Sequence, residues 1–71
     1  MTTKIDTSSE EVRTYVYGDG AEYSVPDPMT VFVLESGSHR VVDRDGWVHR
    51  PEKGWIAIKW KPLNGQPAFV A

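Results

Sequence analysis

Few residues in this chain could carry acid–base, nucleophilic or metal chemistry. The histidines are His39 and His49, the serines are Ser8, Ser9, Ser24, Ser36 and Ser38, and there is no cysteine. A nucleophile needs a base and an orienting group brought to it. Ser38 stands beside His39 at a turn, and adjacency there does not make a dyad. His39 and His49 with Asp43 or Asp45 could approach a metal, but two histidines without a defined third ligand do not specify zinc. Asp43-x-Asp45-Gly46 lacks the remaining acidic ligands of a calcium loop. Gly18-x-Gly20 lacks the Gly-Lys that ends a phosphate loop. No catalytic residue, metal or cofactor is therefore expected, and the chain is read as non-enzymatic.

The residues suited to binding are more numerous. Three Trp and three Tyr are many for 71 residues. Charge is uneven within the net −2. Residues 1–35 hold two basic and seven acidic residues, net −5, and residues 36–71 hold six basic and three acidic, net +3. Such asymmetry marks either a basic binding face or two halves that pair within the fold.

These side chains must be positioned by strands. Trp55 to Lys61 alternates strictly, which places Ile56, Ile58 and Trp60 on one face and Trp55, Ala57, Lys59 and Lys61 on the other. The first set is expected in the core and the lysines in solvent. Pro51-Glu52-Lys53-Gly54 reads as a turn joining Trp47–Arg50 to Trp55–Lys61 as a hairpin. Val12, Thr14 and Val16 alternate with Arg13, Tyr15 and Tyr17. Gly18-Asp19-Gly20 then turns the chain so that Ala21–Val25 returns alongside, bringing Tyr15, Tyr17 and Tyr23 near one another. Pro26-Asp27-Pro28 breaks the sheet. Thr30–Leu34 is apolar on both faces and suits a central strand. Ser36-Gly37-Ser38 and Asp43-Arg44-Asp45-Gly46 are turns. Asn64-Gly65 between Pro62 and Pro67 signals a last hairpin, with Ala68–Val70 as a short closing strand.

No stretch has a sustained 3.6-residue period. The expected fold is all-β, a small antiparallel meander of about five to seven short strands, closed as an SH3-like barrel or strongly curved as a sheet. Residues 1–10 are expected to be a flexible, disordered polar tail, and residues 11–71 a single small β domain. A chain of this length buries only about 60% of its unfolded surface, so its stability is marginal. No apolar run approaches the ~20 residues of a membrane span, and the N-terminus lacks the apolar region of a signal peptide. With no cysteine, a cytoplasmic monomer is expected.

Lys53 to Ile58 is similar to the Lys-Gly-aromatic strand of cold-shock domains. The likeness covers six residues. Ile56 stands where that family has a small residue, Ala57 stands where it has an aromatic one, and the upstream Lys-Trp-Phe strand is missing. The family is not assigned.

Two functions follow from the surface chemistry. In the first, the chain is a protein-binding module, a small phage-like regulator or inhibitor that docks on a larger machine such as a transcription enzyme. Its anchors would be Trp47 and Trp55, with Lys59, Lys61, Arg44 and Arg50 as steering charges. In the second, the aromatic and basic residues of the C-terminal half bind single-stranded nucleic acid, against which a net negative chain argues.

Overall fold

The computed structural model describes residues 2–63. All the regular structure among them is β except a final 3-10 position at Leu63. Seven strands follow in order: β1 Thr3–Asp6, β2 Glu10–Tyr17, β3 Glu22–Pro26, β4 Pro28–Val33, β5 His39–Asp43, β6 Val48–His49 and β7 Trp55–Pro62. They form two antiparallel sheets, one ordered β1-β4-β5-β6 and the other β3-β2-β7. The all-β expectation holds, as two antiparallel sheets rather than a closed barrel.

The two sheets meet at a corner between β3 and β4. Pro26 and Pro28 bracket Asp27, whose φ of 49° turns the chain from one sheet into the other. Proline cannot donate to a ladder, so a sheet ends naturally there. Asp27 ties the corner on both sides. Its N–H donates to the Glu11 carbonyl, and its carbonyl accepts from the Arg44 N–H, both at 2.9 Å.

Register decides which side chains meet in the middle. In the first sheet Ile5, Val31, Val41 and His49 lie in one row, and Val33 pairs with His39 on the same face. In the second, Tyr15 lies between Tyr23 and Ile58, and Arg13 between Val25 and Trp60. The two faces enclose a core of Tyr15, Val25, Val31 and Val41, with Ile5, Tyr17, Val33, Trp55 and Ile58 packed around it. β4 runs between β1 and β5 and is half-buried along most of its length, which fits its apolar sequence.

The expected turns at 18–20, 36–38 and 43–46 are present. Asp43 N–H bonds the Trp47 carbonyl and Gly46 N–H bonds the Asp43 carbonyl. Gly46, at φ 90°, takes the left-handed position that a side chain would resist.

Three expectations are corrected. First, Trp47–Arg50 and Trp55–Lys61 do not form a hairpin. β6 pairs with β5 and β7 pairs with β2, so residues 50–54 cross from one sheet to the other. Buried Pro51 lies in the crossing, and Gly54, at φ 110°, lets the chain enter β7. Second, strict alternation fails in β7. Val16 pairs with Ala57 and Tyr17 with Trp55, which leaves Ile56 as the extra residue of a bulge. Trp55 therefore turns inward with Ile58, while Ile56 is 73% exposed. Trp60 keeps the inner face but sits at its open end, 40% exposed. Lys59 and Lys61 point to solvent as expected. Third, within residues 1–10, expected as a tail, Thr3–Asp6 forms β1 on the free edge of β4. Backbone pairing and the single aliphatic Ile5 supply what its polar side chains do not. The expected 64–70 hairpin and closing strand lie outside the described residues.

Candidate functional site

Two polar networks occupy the inner faces, and each joins one sheet to the other. At the rim, the Asp43 carboxylate accepts at Oδ1 from the N–H groups of Asp45 (3.0 Å) and Trp47 (2.9 Å). Its Oδ2 lies 2.8 Å from His49 Nε2. A carboxylate there calls for a proton on Nε2, and in the neutral ring this leaves Nδ1 as an acceptor. The Tyr23 hydroxyl, 2.9 Å from Nδ1, therefore donates to it. The His49 bond first, then the backbone donors, hold the Asp43 carboxyl below its ordinary range. The pairing of Val41 with His49 puts this imidazole on the inner face, and the pairing of Tyr15 with Tyr23 puts the phenol opposite it.

Deeper in, the Tyr15 hydroxyl lies 2.7 Å from His39 Nδ1. Tyr15, His39 and Trp55 pack edge to face or tilted, with ring centroids 4.9 to 5.5 Å apart. Burial and then the Arg13 charge push the His39 imidazole below its ordinary value, so it is held neutral. Burial pushes the Tyr15 phenol up.

Beside them sits a buried ion pair. Glu11 is the extra residue of a second bulge, where Glu10 pairs with Pro62 and Val12 with Lys61. Glu10 therefore turns inward three residues from Arg13, and Arg13 Nη1 reaches both its oxygens at 3.0 and 3.3 Å. Glu10 is 1% exposed and Arg13 5%. The guanidinium also lies 5.9 Å from the Tyr15 ring centre and 5.6 Å from that of Trp60. Burial outweighs Arg13 and raises the Glu10 carboxyl. Such a pair contributes little net stability, but losing one partner typically costs roughly 3–5 kcal/mol because the other charge stays buried.

The six residues singled out from the sequence are divided by the fold. Arg44 and Trp47 stand in the β5–β6 turn and Arg50 follows β6. Trp47 is 72% exposed and Val48 62%. Val48 pairs with Val42 on the outward face of the sheet, so the tip continues into apolar surface. Lys59 and Lys61 lie on β7, outside the other sheet. Lys59 Nζ is 3.4 Å from Glu22 and Lys61 Nζ 3.5 Å from Glu11. Trp55 is part-buried between Tyr15 and His39. Among the described residues, no ion pair involves Arg44 or Arg50.

Sequence reasoning put Asp43 and His49 together only as possible metal ligands and missed their link to Tyr23. The link was visible in part, because it needs only the two pairings that place both rings inward. The Glu10–Arg13 pair was not visible, since neither residue type nor spacing announces a bulge. A cleft of about 410 Å³ opens beside the rim network, lined by Tyr17, Tyr23, Arg50, Asp19, Glu22 and Glu52. The Tyr17 hydroxyl donates to the Glu52 carbonyl at 2.6 Å. Among the described residues no group of three or more His, Asp or Glu side chains could hold a metal, and no helix is long and apolar enough to cross a membrane.

Fold and networks together define a small two-sheet β protein whose sheets are clasped by two tyrosine–histidine bonds. Comparison with protein families, with curated proteins and with solved structures finds no match.

Proposed function

We propose that this chain is a non-enzymatic protein-binding module that docks through the tip formed by the β5–β6 turn. The observation that carries the reading is Trp47, 72% exposed beside an equally outward Val48. Interface anchors are enriched in Trp and Arg and sit in apolar surroundings. Arg44 lies in the same turn and supplies charge that steers an acidic partner, while Arg50 follows β6 and lines the cleft. Trp55 supports the tip only indirectly, through His39 and the core. Lys59 and Lys61 form a separate surface, each already beside a carboxylate. That pairing favours protein over single-stranded nucleic acid as the ligand. In this reading the chain acts in the cytoplasm as a monomeric regulator or inhibitor, occluding a surface of a larger machine such as a transcription enzyme.

The test is retention from nuclease-treated cell extract by the tagged chain. Wild type is expected to hold one discrete protein that Trp47→Ala loses, with circular dichroism unchanged because the ring is exposed. Retention that survives Trp47→Ala overturns the docking tip. Quenching of tryptophan fluorescence by oligonucleotides, weakening steeply with salt, would move the assignment to nucleic acid.

A further inference from the structure

The rim network has a chemical capacity that docking does not use. Asp43, His49 and Tyr23 stand in sequence as carboxylate, imidazole and hydroxyl, at 2.8 and 2.9 Å. The carboxylate is fixed by two backbone donors, so it orients the ring and fixes its tautomer. The neutral ring holds its acceptor nitrogen against a phenol that is 40% exposed. A nucleophile bonded to a base, with the base held by a third group, is the arrangement that activates a hydroxyl. The Tyr23 ring also lines the cleft of about 410 Å³.

We propose that Tyr23 is a nucleophilic acceptor site, whose phenol oxygen takes an acyl or sulfonyl group from a neutral or cationic activated donor entering that cleft. The step balances without an oxidant. The Tyr23 oxygen forms a bond to the carbonyl carbon or sulfonyl sulfur as its proton passes to His49 Nδ1. The bond to the leaving group breaks with its electron pair, and the leaving group departs as an anion or takes that proton. Asp43 stabilises the imidazolium in between. The donor's charge is set by the cleft wall: Asp19, Glu22 and Glu52 outnumber Arg50, which disfavours a phosphate-bearing donor.

Tyr17, part-buried on the same wall, provides a control. Its hydroxyl donates to a backbone carbonyl, which cannot accept a proton in the reaction. The probe is an ammonium-bearing aryl sulfonyl fluoride on the full chain at neutral pH, with label at each tyrosine followed by peptide mass spectrometry. Tyr23 is expected to label at least tenfold faster than Tyr17. His49→Gln keeps a hydrogen-bonding side chain but cannot take the proton. It is expected to slow Tyr23 at least tenfold and leave Tyr17 unchanged, with the circular dichroism of wild type. Equal rates at the two tyrosines in wild type overturn the proposal, and this comparison needs no variant to fold. A Tyr23 rate in folded His49→Gln within twofold of wild type also overturns it, leaving the network as a clasp between sheets.

Discussion

His39 shows how one side chain's surroundings set a pH response. Its ring lies against Tyr15 and Trp55, and Arg13 adds a positive charge from β2. Both burial and Arg13 disfavour the imidazolium, so the folded value lies below the ordinary 6.5. The unfolded chain then binds a proton between 6.5 and that lower value that the folded chain does not. Stability from this site is fully present above pH 6.5 and is lost as pH falls through the folded value. Glu10 works in the opposite sense, because its raised carboxyl binds a proton more readily when folded. Asp43 acts lower still, its contribution present above 3.8 and lost as pH falls below. The sites separate by substitution. His39→Gln retains a neutral polar ring substitute near Tyr15, and its urea midpoint is expected to vary less than wild type between pH 7 and 5. An unchanged slope would show that His39 does not carry this dependence.

At the scale of a strand, β7 shows what alternation can and cannot reveal. Its existence, the outward face of Lys59 and Lys61, and the inward place of Ile58 were all legible from period two. The inward turn of Trp55 was not. A bulge adds one residue without altering the composition of the strand, and here it exchanges the faces of Trp55 and Ile56 while leaving Ile58 onward in place. Likewise the turn 51–54 was legible as a turn, but not its partners, because a proline–glycine segment can close a hairpin or cross between sheets. Ile56 and Ile58 make the distinction measurable. Ile56→Lys is expected to change unfolding free energy by less than about 0.5 kcal/mol, as exposed positions usually do. Ile58→Ala, which removes packing against Tyr15, should cost about 1–3 kcal/mol, less than a fully enclosed site. Equal losses from both in chemical denaturation would remove the bulge.

For the whole molecule, the opposed charges of the two halves become neighbours. β7, from the basic half, lies beside β2 from the acidic half, with β3 on the far side of β2. Lys61 meets Glu11 across one pairing, and Lys59 reaches past Thr14 to Glu22. Arg44 stays in the turn with Trp47, and Arg50 lies past β6 against the cleft. The fold thus divides the positive charge into a set that pairs within the chain and a set left outward for a partner. The sequence could offer only both uses at once, since it takes strand order to separate them. The two sets are therefore expected to respond differently to reversal. Lys59→Glu with Lys61→Glu places like charges beside Glu22 and Glu11, and should lower stability by roughly 0.5–2 kcal/mol, taking 0.2–1 for each exposed pair. The loss should shrink strongly in 1 M salt, where screening acts within about 3 Å. Arg44→Glu with Arg50→Glu should leave the urea midpoint nearly unchanged at either salt concentration, since no pair is broken, and should instead weaken capture of an acidic partner. Midpoints measured at 0.05 and 1 M salt on both double variants decide it, and an equal, salt-insensitive loss in the two would mean that the charges are not divided this way.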